Sequence, residues 1–286
     1  MSNMVVRTNV FSLNAHRNMK NVGIEQSRAS NRLASGYRIN TAADDAAGLA
    51  ISETMRAQIR GLDQASRNSQ DAQALIQTTE GGMQEITNML QRVRELTVQA
   101  SNDTNVTVNL QQIAYEVEHL ADEIQAMGNR VQFNTRGVLT MEAGNELHFQ
   151  IGANSDESLV FDFSEIRVAI SDAHEAVSDI GEALRSATEQ ANGVELTQWI
   201  DELQTEIDSV NMRRAELGAL VNRLDYTMRS LDISSENLSD AESRVRNADM
   251  AREMMRFTMS NVLNQASVSM LSQANQVPNN LLQLLR

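Results

Sequence analysis

GLDQASRNSQDAQALIQTTEGGMQEITNMLQRVRELTVQA, residues 61–100, carries the pattern that decides the fold. Alternating steps of three and four residues from Leu62 reach an apolar side chain at nine of twelve positions. The twelve are Leu62, Ala65, Ser69, Ala72, Ile76, Thr79, Met83, Ile86, Leu90, Val93, Thr97 and Ala100. A heptad stripe of this length predicts a long α-helix packed on other helices as a coiled coil. Helices of an ordinary bundle share the pattern, but its length favours the coiled coil.

Three further stripes with the same spacing follow along the chain. They cover residues 110–127, 170–191 and 196–231, and Arg214 interrupts the last of them. Their main members are Leu110, Ile113, Val117, Leu120, Ile124 and Met127; Ile170, Ala173, Val177, Ile180, Leu184, Ala187 and Ala191; and Leu196, Ile200, Leu203, Ile207, Val210, Leu217, Val221, Leu224, Met228 and Leu231. Each stripe predicts another helix.

The apolar period changes from helical to alternating in ELHFQIGANSDESLVFDF, residues 146–163. The alternation lies on both sides of a stretch with the turn formers Gly152 and Asn154, so it predicts a β-hairpin at 146–163. We interpret the flanks, NTRGVLTMEAGN at 134–145 and SEIRVAIS at 164–171, as connections. The chain is therefore expected to be mainly α. It would form a long antiparallel helical coiled-coil rod with a small β-hairpin element, and its two ends would meet.

The composition excludes several classes of protein. Aromatic residues make up 3% of the chain, and there is one proline and no cysteine. The chain therefore has no disulfide and no thiolate metal ligand. No apolar run approaches the roughly 20 residues of a membrane span, and the start lacks the layout of a secretory signal peptide. The net charge is −14. No basic patch interleaved with aromatics exists, so no nucleic-acid partner is expected.

Both ends of the chain combine apolar stripes with uncharged polar flanks. The C-terminal stripe is clear and the N-terminal one is looser. Their members are Met255, Met259, Val262, Ala266, Met270, Ala274, Val277, Leu281 and Leu284, and Val6, Val10, Leu13, Val22, Ala29 and Leu33. Neutral polar side chains can be buried when they find hydrogen-bond partners, so we expect burial on more than one side, by neighbouring copies of the chain. A helix lying on a membrane surface is the alternative, but it would carry Lys and Arg on its polar face.

Motifs that would indicate an enzyme or a metal centre are missing from the sequence. The four histidines are scattered and none lies in H-E-x-x-H, so no zinc site is predicted. The carboxylates of DDAAG at 44–48 could serve catalysis, but acids before a helical stretch more often interact with the helix dipole. TEGG at 79–82 interrupts the heptad and is interpreted as a hinge or a helix joint. We therefore expect no catalytic, metal or cofactor residues.

Several long segments strongly resemble bacterial flagellin. In the N-terminal half they are RLASGYRINTAADDAAGLAIS at 32–52, the stretch at 61–99 and QFN at 132–134. In the C-terminal half they are RRAELGALVNRL at 213–224, ENLSDAESRVRNADMARE at 236–253 and ANQVPNNLLQLLR at 274–286. The resemblance covers residues 1–165 and 196–286. It is specific, because the segments occur in the family's order at both ends.

The resemblance implies a domain organisation and a function. Residues 1–42 with 247–286 would form a terminal coiled-coil domain in a filament core, disordered in the free subunit. Residues 43–165 with 196–246 would form a helical rod domain with the hairpin, and 166–195 a short acidic helical region in place of large outer domains. The implied function is a structural subunit that polymerises into the flagellar filament for motility. A hook–filament junction protein is the alternative, and a proteolytic flagellin would carry an H-E-x-x-H insert.

The resemblance also implies partners and a location. The protein would be secreted without a cleaved signal peptide and would act outside the cell, in the filament, with further copies of itself. Other implied partners are the flagellar export apparatus, a flagellin secretion chaperone, the filament cap and the hook–filament junction proteins. Some flagellins also bind the flagellin-sensing Toll-like receptor of animal hosts. The residues that resemble its contact site are Leu90, Gln91, Arg92, Leu96 and Glu116.

Overall fold

The computed structural model describes residues 8–102, 104–142, 144–186 and 193–284, with side chains except those of 193–196 and 277–284. This part of the chain is mainly helical with small antiparallel strand pairs, as predicted. Its elements are α1 Val10–Ser35, α2 Ala46–Ala100, α3 Thr107–Arg130, β1 Gln132–Phe133, β2 Arg136–Gly137, β3 Leu147–Gln150, β4 Ser158–Phe161, α4 Ser164–Ser186, α5 Gly193–Arg246 and α6 Met250–Leu284.

The chain divides into two compact units. Met1–Ile59 with Glu236–Arg286 form the terminal unit, and Arg60–Ser235 form the central unit. α1 and α6 lie in the terminal unit, α3 and α4 lie in the central unit, and α2 and α5 contribute residues to both. The terminal unit thus combines the two ends of the chain. The domain boundaries inferred from the sequence remain a prediction.

The stripe that starts at Leu62 forms the buried side of α2. Each of its members except Leu62 is buried. Ser69, Thr79 and Thr97, its three polar members, each donate a side-chain hydroxyl to the carbonyl four residues earlier, at 2.8, 2.9 and 2.8 Å. Because these hydroxyls are satisfied within the helix, the polar positions leave no unpaired group in the core.

α3, α4 and α5 bury the stripes predicted for them, and α3 packs along α4. The buried members are Leu110, Ile113, Val117, Ile124, Ile170, Ala173, Val177, Ile180, Leu184, Leu203, Ile207, Val210, Leu217, Leu224 and Leu231. Ala187, Ala191 and the side chain of Leu196 lie outside the described residues. The guanidinium of Arg214, the exception in the α5 stripe, donates to the side-chain oxygen of Gln84 in α2.

A β-hairpin lies where the alternating pattern predicts it. β3 and β4 pair antiparallel, with Leu147 opposite Phe161. A second, tighter hairpin joins β1 and β2 through Asn134 and Thr135, whose φ angles are 50° and 66°. Two successive residues with positive φ match the favoured twist of a two-residue hairpin turn. This turn lies in the segment 134–145, which is therefore more than the plain connection expected.

The segment SEIRVAIS is helical, so its interpretation as a connection was wrong. α4 begins at Ser164, whose backbone N–H donates to the Asp162 carboxylate at 2.8 Å. Hydrogen bonds from the side chain and the backbone of Ser164 lower the pKa of Asp162. Ile166 and Ala169 are buried and extend the α4 stripe toward its N-terminus. The alternation that ends at Phe163 passes directly into this helical period, so no turn residues mark the change.

TEGG does not interrupt α2, so the predicted hinge or joint was also wrong. The helix continues through Gly81 and Gly82. A Cβ atom on Gly82 would lie 2.8 Å from Val131 Cγ2 and 3.2 Å from Leu139 Cδ1, whereas one on Gly81 would meet nothing within 4 Å. Gly82 therefore permits a close approach between α2 and the chain after α3, rather than a bend.

Gly82→Ala and Gly81→Ala are expected to change stability in opposite directions. The new methyl group at Gly82 would overlap the stiff side chain of Val131, which lowers the free energy of unfolding by about 1–3 kcal/mol. At Gly81 the methyl group meets open space, and the better helix propensity of alanine raises it by about 0.4–1 kcal/mol. Urea unfolding followed by circular dichroism measures both changes. Two variants of equal stability would contradict the close approach.

Candidate functional site

The terminal unit is built on α1 and α6, which pair antiparallel. Asn9 caps α1, since its side-chain oxygen accepts the backbone N–H of Ser12 at 3.0 Å. Gly36 ends α1 in the left-handed conformation, with φ of 75°. Capping fixes where α1 starts and stops, and so fixes which of its faces meets α6.

The seam between α1 and α6 mixes apolar side chains with small and polar ones. Its positions recur in steps of three and four along both helices. They are Ser12, Ala15, Met19, Val22, Gln26, Ala29 and Leu33 in α1, and Glu253, Phe257, Ser260, Asn264, Ser267, Leu271 and Ala274 in α6. Ala29, Glu253 and Ala274 are the fully buried members. Within one chain, this pair therefore removes little apolar surface from water.

Hydrogen bonds between neutral side chains align the seam. Asn264 Nδ2 donates to Gln26 Oε1 at 2.9 Å, and Ser12 Oγ donates to Asn275 Oδ1 at 2.8 Å. The Gln26–Asn264 pair is partly buried, and a polar pair inside a helix–helix seam specifies the register at a cost in stability; the Ser12–Asn275 pair lies at the exposed edge. The seam thus defines the alignment of the two helices more strongly than it stabilises them.

Asn9 also compensates for the proline inside α6. Pro278 lies within the helix and has no N–H, so the carbonyl of Ala274, four residues earlier, lacks its helical donor. Asn9 Nδ2 donates to that carbonyl at 2.8 Å. The beginning of α1 therefore supplies the hydrogen bond that is missing near the end of α6.

The apolar stripe predicted for α6 lies on the side away from the seam. Met255, Met259 and Val262 are 66%, 64% and 60% exposed. Ala266 and Met270 are exposed as well. We call these five residues the outward face. α6 therefore carries apolar residues on two sides: Phe257, Leu271 and Ala274 lie in the seam, and the outward face lies in water.

The remaining members of the terminal stripes differ in position. Ala274 is fully buried in the seam, whereas Val10 and Leu13 of α1 are exposed. Val6 and the side chains of Val277, Leu281 and Leu284 lie outside the described residues. Their part in packing between copies remains a prediction.

The outward face is suited to association with another apolar surface. A groove along it is lined by Met254, Met255, Thr258, Met259, Val262 and Leu263, none of which is charged. A contiguous exposed apolar surface usually indicates a binding site. Attraction to an anionic membrane surface would require Lys and Arg along the helix, and this groove has neither. Among the helices of the described residues, none has the length and hydropathy of a membrane span.

A cluster around Tyr37 ties the chain after α1 to the end of α5. The backbone N–H of Arg38 donates to the carbonyl of Arg246 at 2.7 Å. The guanidinium groups of Arg246 and Arg56 lie 4.8 and 5.3 Å from the centre of the Tyr37 ring, and Arg56 also donates to its hydroxyl at 2.7 Å. Glu242 pairs with Arg56 at 3.1 Å. The apolar pattern of the sequence gave no signal for this cluster, because its members are polar and lie far apart in the chain.

The carboxylates of DDAAG have structural roles. Asp45 Oδ1 accepts the backbone N–H of Gly48 at 2.9 Å and caps α2. Asp44 accepts the backbone N–H groups of Thr41 and Asn40 at 3.1 and 3.2 Å, and these hydrogen bonds, Thr41's foremost, lower the pKa of Asp44. Across the residues that the structure describes, no group of three His, Cys, Asp or Glu side chains could hold a metal ion.

In the central unit, α2 and α3 bring Arg92 and Glu116 together. Arg92 Nε and Nη2 donate to Glu116 Oε1 at 3.0 and 2.9 Å, and Nη1 donates to Glu95 at 3.1 Å. These hydrogen bonds, the one to Glu116 foremost, raise the pKa of Arg92. Both paired side chains are about half exposed, at 50% and 46%. The pair therefore presents a charged surface to solvent.

The other residues that resemble the receptor site have different environments. Gln91 is exposed, but Leu90 and Leu96 are buried in the core of the central unit. The two leucines therefore hold α2 against its neighbours and present no surface to a partner of the folded unit. Any such surface consists of Gln91, Arg92 and Glu116.

Comparison with known proteins extends over nearly the whole chain. Models of the bacterial flagellin N-terminal and C-terminal helical regions match residues 6–142 and 197–285. Flagellin of Halalkalibacterium halodurans is 48% identical over 284 residues, which cover 99% of this chain and 100% of that protein. Flagellin of Bacillus subtilis is 41% identical, with the same coverage of both proteins. The crystal structure of Bacillus cereus FlgL matches with a TM-score of 0.52 at 17% identity, over 65% of this chain and 97% of that one, which supports the fold alone.

The small number of fully buried side chains in the seam predicts that the free chain opens locally at its ends. Amides of α1 and α6 are expected to exchange with solvent about a hundredfold faster than those of residues 83–97 in α2, because few buried apolar contacts hold the terminal pair. Hydrogen–deuterium exchange with mass spectrometry on the monomer measures both sets in one sample. Equal protection of the two sets would contradict this reading of the seam.

Proposed function

This chain belongs to the bacterial flagellin family, and on that premise we propose that it is the structural subunit that polymerises into the flagellar filament for motility. The observation that carries this function is the outward face of α6, which a single chain leaves in water. The full-length identity to flagellins gives no support to the alternative, a hook–filament junction protein.

Further copies of the chain are the occupants that suit the outward face. Burial of a methionine or valine side chain contributes about 1.5–3 kcal/mol, and each added subunit would bury several. Ordering the ends of a free chain costs conformational entropy, which opposes spontaneous nucleation and favours growth from an existing end. Contacts between two different patches of the same molecule extend into an open helix when they do not close into a ring.

Each part of the chain has its own role in the proposed filament. Residues 1–42 with 247–286 form the inner core of the filament, and 43–165 with 196–246 form the layer around it. Residues 166–195 replace the large outer domains of longer flagellins. The seam and outward face of α6 support the first of these roles, and the helix α4, which covers most of 166–195, supports a helical central region.

The location and the remaining partners follow from family membership. Flagellins are structural proteins of the extracellular filament, so we assign this chain no enzymatic activity and no cofactor. Export without a cleaved signal peptide, by the flagellar export apparatus and with a secretion chaperone, belongs to the same proposal. So do contacts with the filament cap and the hook–filament junction proteins.

Val262→Glu is expected to abolish assembly without unfolding the subunit. Val262 is exposed in the monomer, so a carboxylate there is solvated and the helical content stays unchanged. In a filament the same carboxylate would be buried without a partner, which lowers the rate of seeded elongation by more than about a hundredfold. Electron microscopy and sedimentation after addition of wild-type filament fragments measure elongation. Val262→Leu is the matched control and should elongate; normal growth of the Val262→Glu protein would refute the proposed role.

Recognition by the flagellin-sensing Toll-like receptor is a second proposal. It is supported by the exposed pair of Arg92 and Glu116, which lies in the segment that resembles the receptor motif. An arginine guanidinium forms forked hydrogen bonds and is a frequent anchor of protein interfaces. Packing between subunits is the native role of this surface, and receptor binding is incidental to it.

Arg92→Ala is expected to weaken binding of the monomer to the receptor ectodomain by about fivefold to a hundredfold, as truncation of an interface anchor does. Arg130→Ala is the matched control, because Arg130 is an exposed arginine paired with Glu123 outside the motif. Surface plasmon resonance on both variants and on wild type separates the effects. Equal affinities, or no binding by any of the three, would remove Arg92 from the proposed site.

A further inference from the structure

Methionine is concentrated on one exposed surface of this protein. Five of its 15 methionines lie between residues 250 and 270, in α6. All five are about half exposed or more: Met250, Met254, Met255, Met259 and Met270. By contrast, Met83 and Met141 are buried in the central unit. An exposed cluster needs a reason, because methionine normally fills gaps in a core.

Four of these methionines line two open grooves, and Met259 also lines a third groove, at the seam, with charged residues such as Glu25 and Arg256. Met254, Met255 and Met259 line the groove along the outward face, together with Val262 and Leu263. Met270 lines a second groove with Phe11 of α1 and Leu263. No charged side chain lines either of these two grooves. The thioether sulfurs are therefore open to small oxidants in the free chain and surrounded by groups that themselves react slowly with them.

We propose that Met254, Met255, Met259 and Met270 are a site of reversible oxidation by peroxides, and that oxidation there prevents a free subunit from joining a polymer of this chain. The proposal rests on the function proposed above. A lone pair of the thioether sulfur attacks one peroxide oxygen, an S–O bond forms and the O–O bond breaks. With hydrogen peroxide, the departing hydroxide takes the proton of the oxygen that stays on sulfur and leaves as water. The sulfur is oxidised to a sulfoxide, the peroxide is reduced, and a methionine sulfoxide reductase reverses the change.

Oxidation would act on assembly and spare the fold of the subunit. A sulfoxide is polar and chiral, so it is well solvated on an exposed face but unfavourable inside an apolar contact. Met254 and Met255 line no groove with α1, and Met259 and Met270 are exposed at the edge of the seam, so the pairing of the two helices remains possible. Once copies cover the outward face, the same sulfurs are out of reach of the oxidant. Free subunits are therefore sensitive and assembled ones are protected.

A competition experiment on the wild-type protein tests the proposal. Monomer is treated with hydrogen peroxide until about half of the Met259 is oxidised, and wild-type filament fragments are added. Mass spectrometry then compares the sulfoxide content of each methionine in the pelleted polymer and in the supernatant. Sulfoxides at Met255 and Met259 should be about tenfold depleted in the pellet. Met212 is the internal control, because it is as exposed as Met254 and Met270 but lies in α5, and its sulfoxide should be depleted far less.

A variant measurement provides an independent check. The variant has leucine in place of Met254, Met255, Met259 and Met270. Its elongation rate is measured before and after treatment with peroxide, and the two rates should be equal. The Met212→Leu protein should lose elongation after peroxide as wild type does, and the reductase should restore it. Equal sulfoxide content in pellet and supernatant, with normal growth of untreated protein, would overturn this proposal alone. Failure of untreated protein to grow would overturn the proposed function and this inference together.

Discussion

The antiparallel seam between α1 and α6 is the interaction on which the rest of this structure depends. Neutral amides and hydroxyls align it, through pairs such as Gln26 with Asn264, and little apolar surface is buried there. The large apolar side chains of the outward face lie on the other side of α6 from this seam, where only another molecule can cover them. A single chain therefore leaves the outward face of α6 uncovered.

The two units share the heptad spacing but differ in whether a single chain can bury their apolar side chains. In the central unit, stripes of leucine, isoleucine and valine from four helices meet in a closed core, and even the polar members of the α2 stripe are satisfied within their own helix. This unit has no need of a partner for its stability. In the terminal unit, hydrogen bonds and the ion pairs around Tyr37 determine the geometry. The register of α1 on α6 is thus defined by contacts within one chain. Most of the free energy that stabilises this pair must come from contacts with other copies.

The spacing of the apolar residues predicted the long helices and the hairpin correctly, because burial of one face produces that spacing. The stripe from Leu62 to Ala100 and the alternation at 146–163 are direct records of which side chains face a core. The side to which a stripe faces was harder to predict. The spacing of Met255, Met259 and Val262 revealed a stripe but not that it faces away from α1. The prediction of a hinge at Gly81 and Gly82 failed because tertiary packing overrides the low helix propensity of glycine. These two residues stay helical because their neighbours are buried in the stripe of α2. The family resemblance named Arg92 and Glu116 together and the structure pairs them, whereas the Tyr37 cluster joins polar residues that no local pattern connects.

The hydrogen bond from Asn9 to the carbonyl of Ala274 joins residues 265 positions apart and compensates for the single proline of the chain. A proline inside a helix normally leaves such a carbonyl without a donor. Here the donor comes from the opposite end of the polypeptide, so the C-terminal helix is complete only when the N-terminus is present. Proteolytic loss of about ten N-terminal residues would leave that carbonyl unpaired and the last turns of α6 weakened. Damage at one end of the polypeptide would therefore be felt at the other, because the two ends share this hydrogen bond.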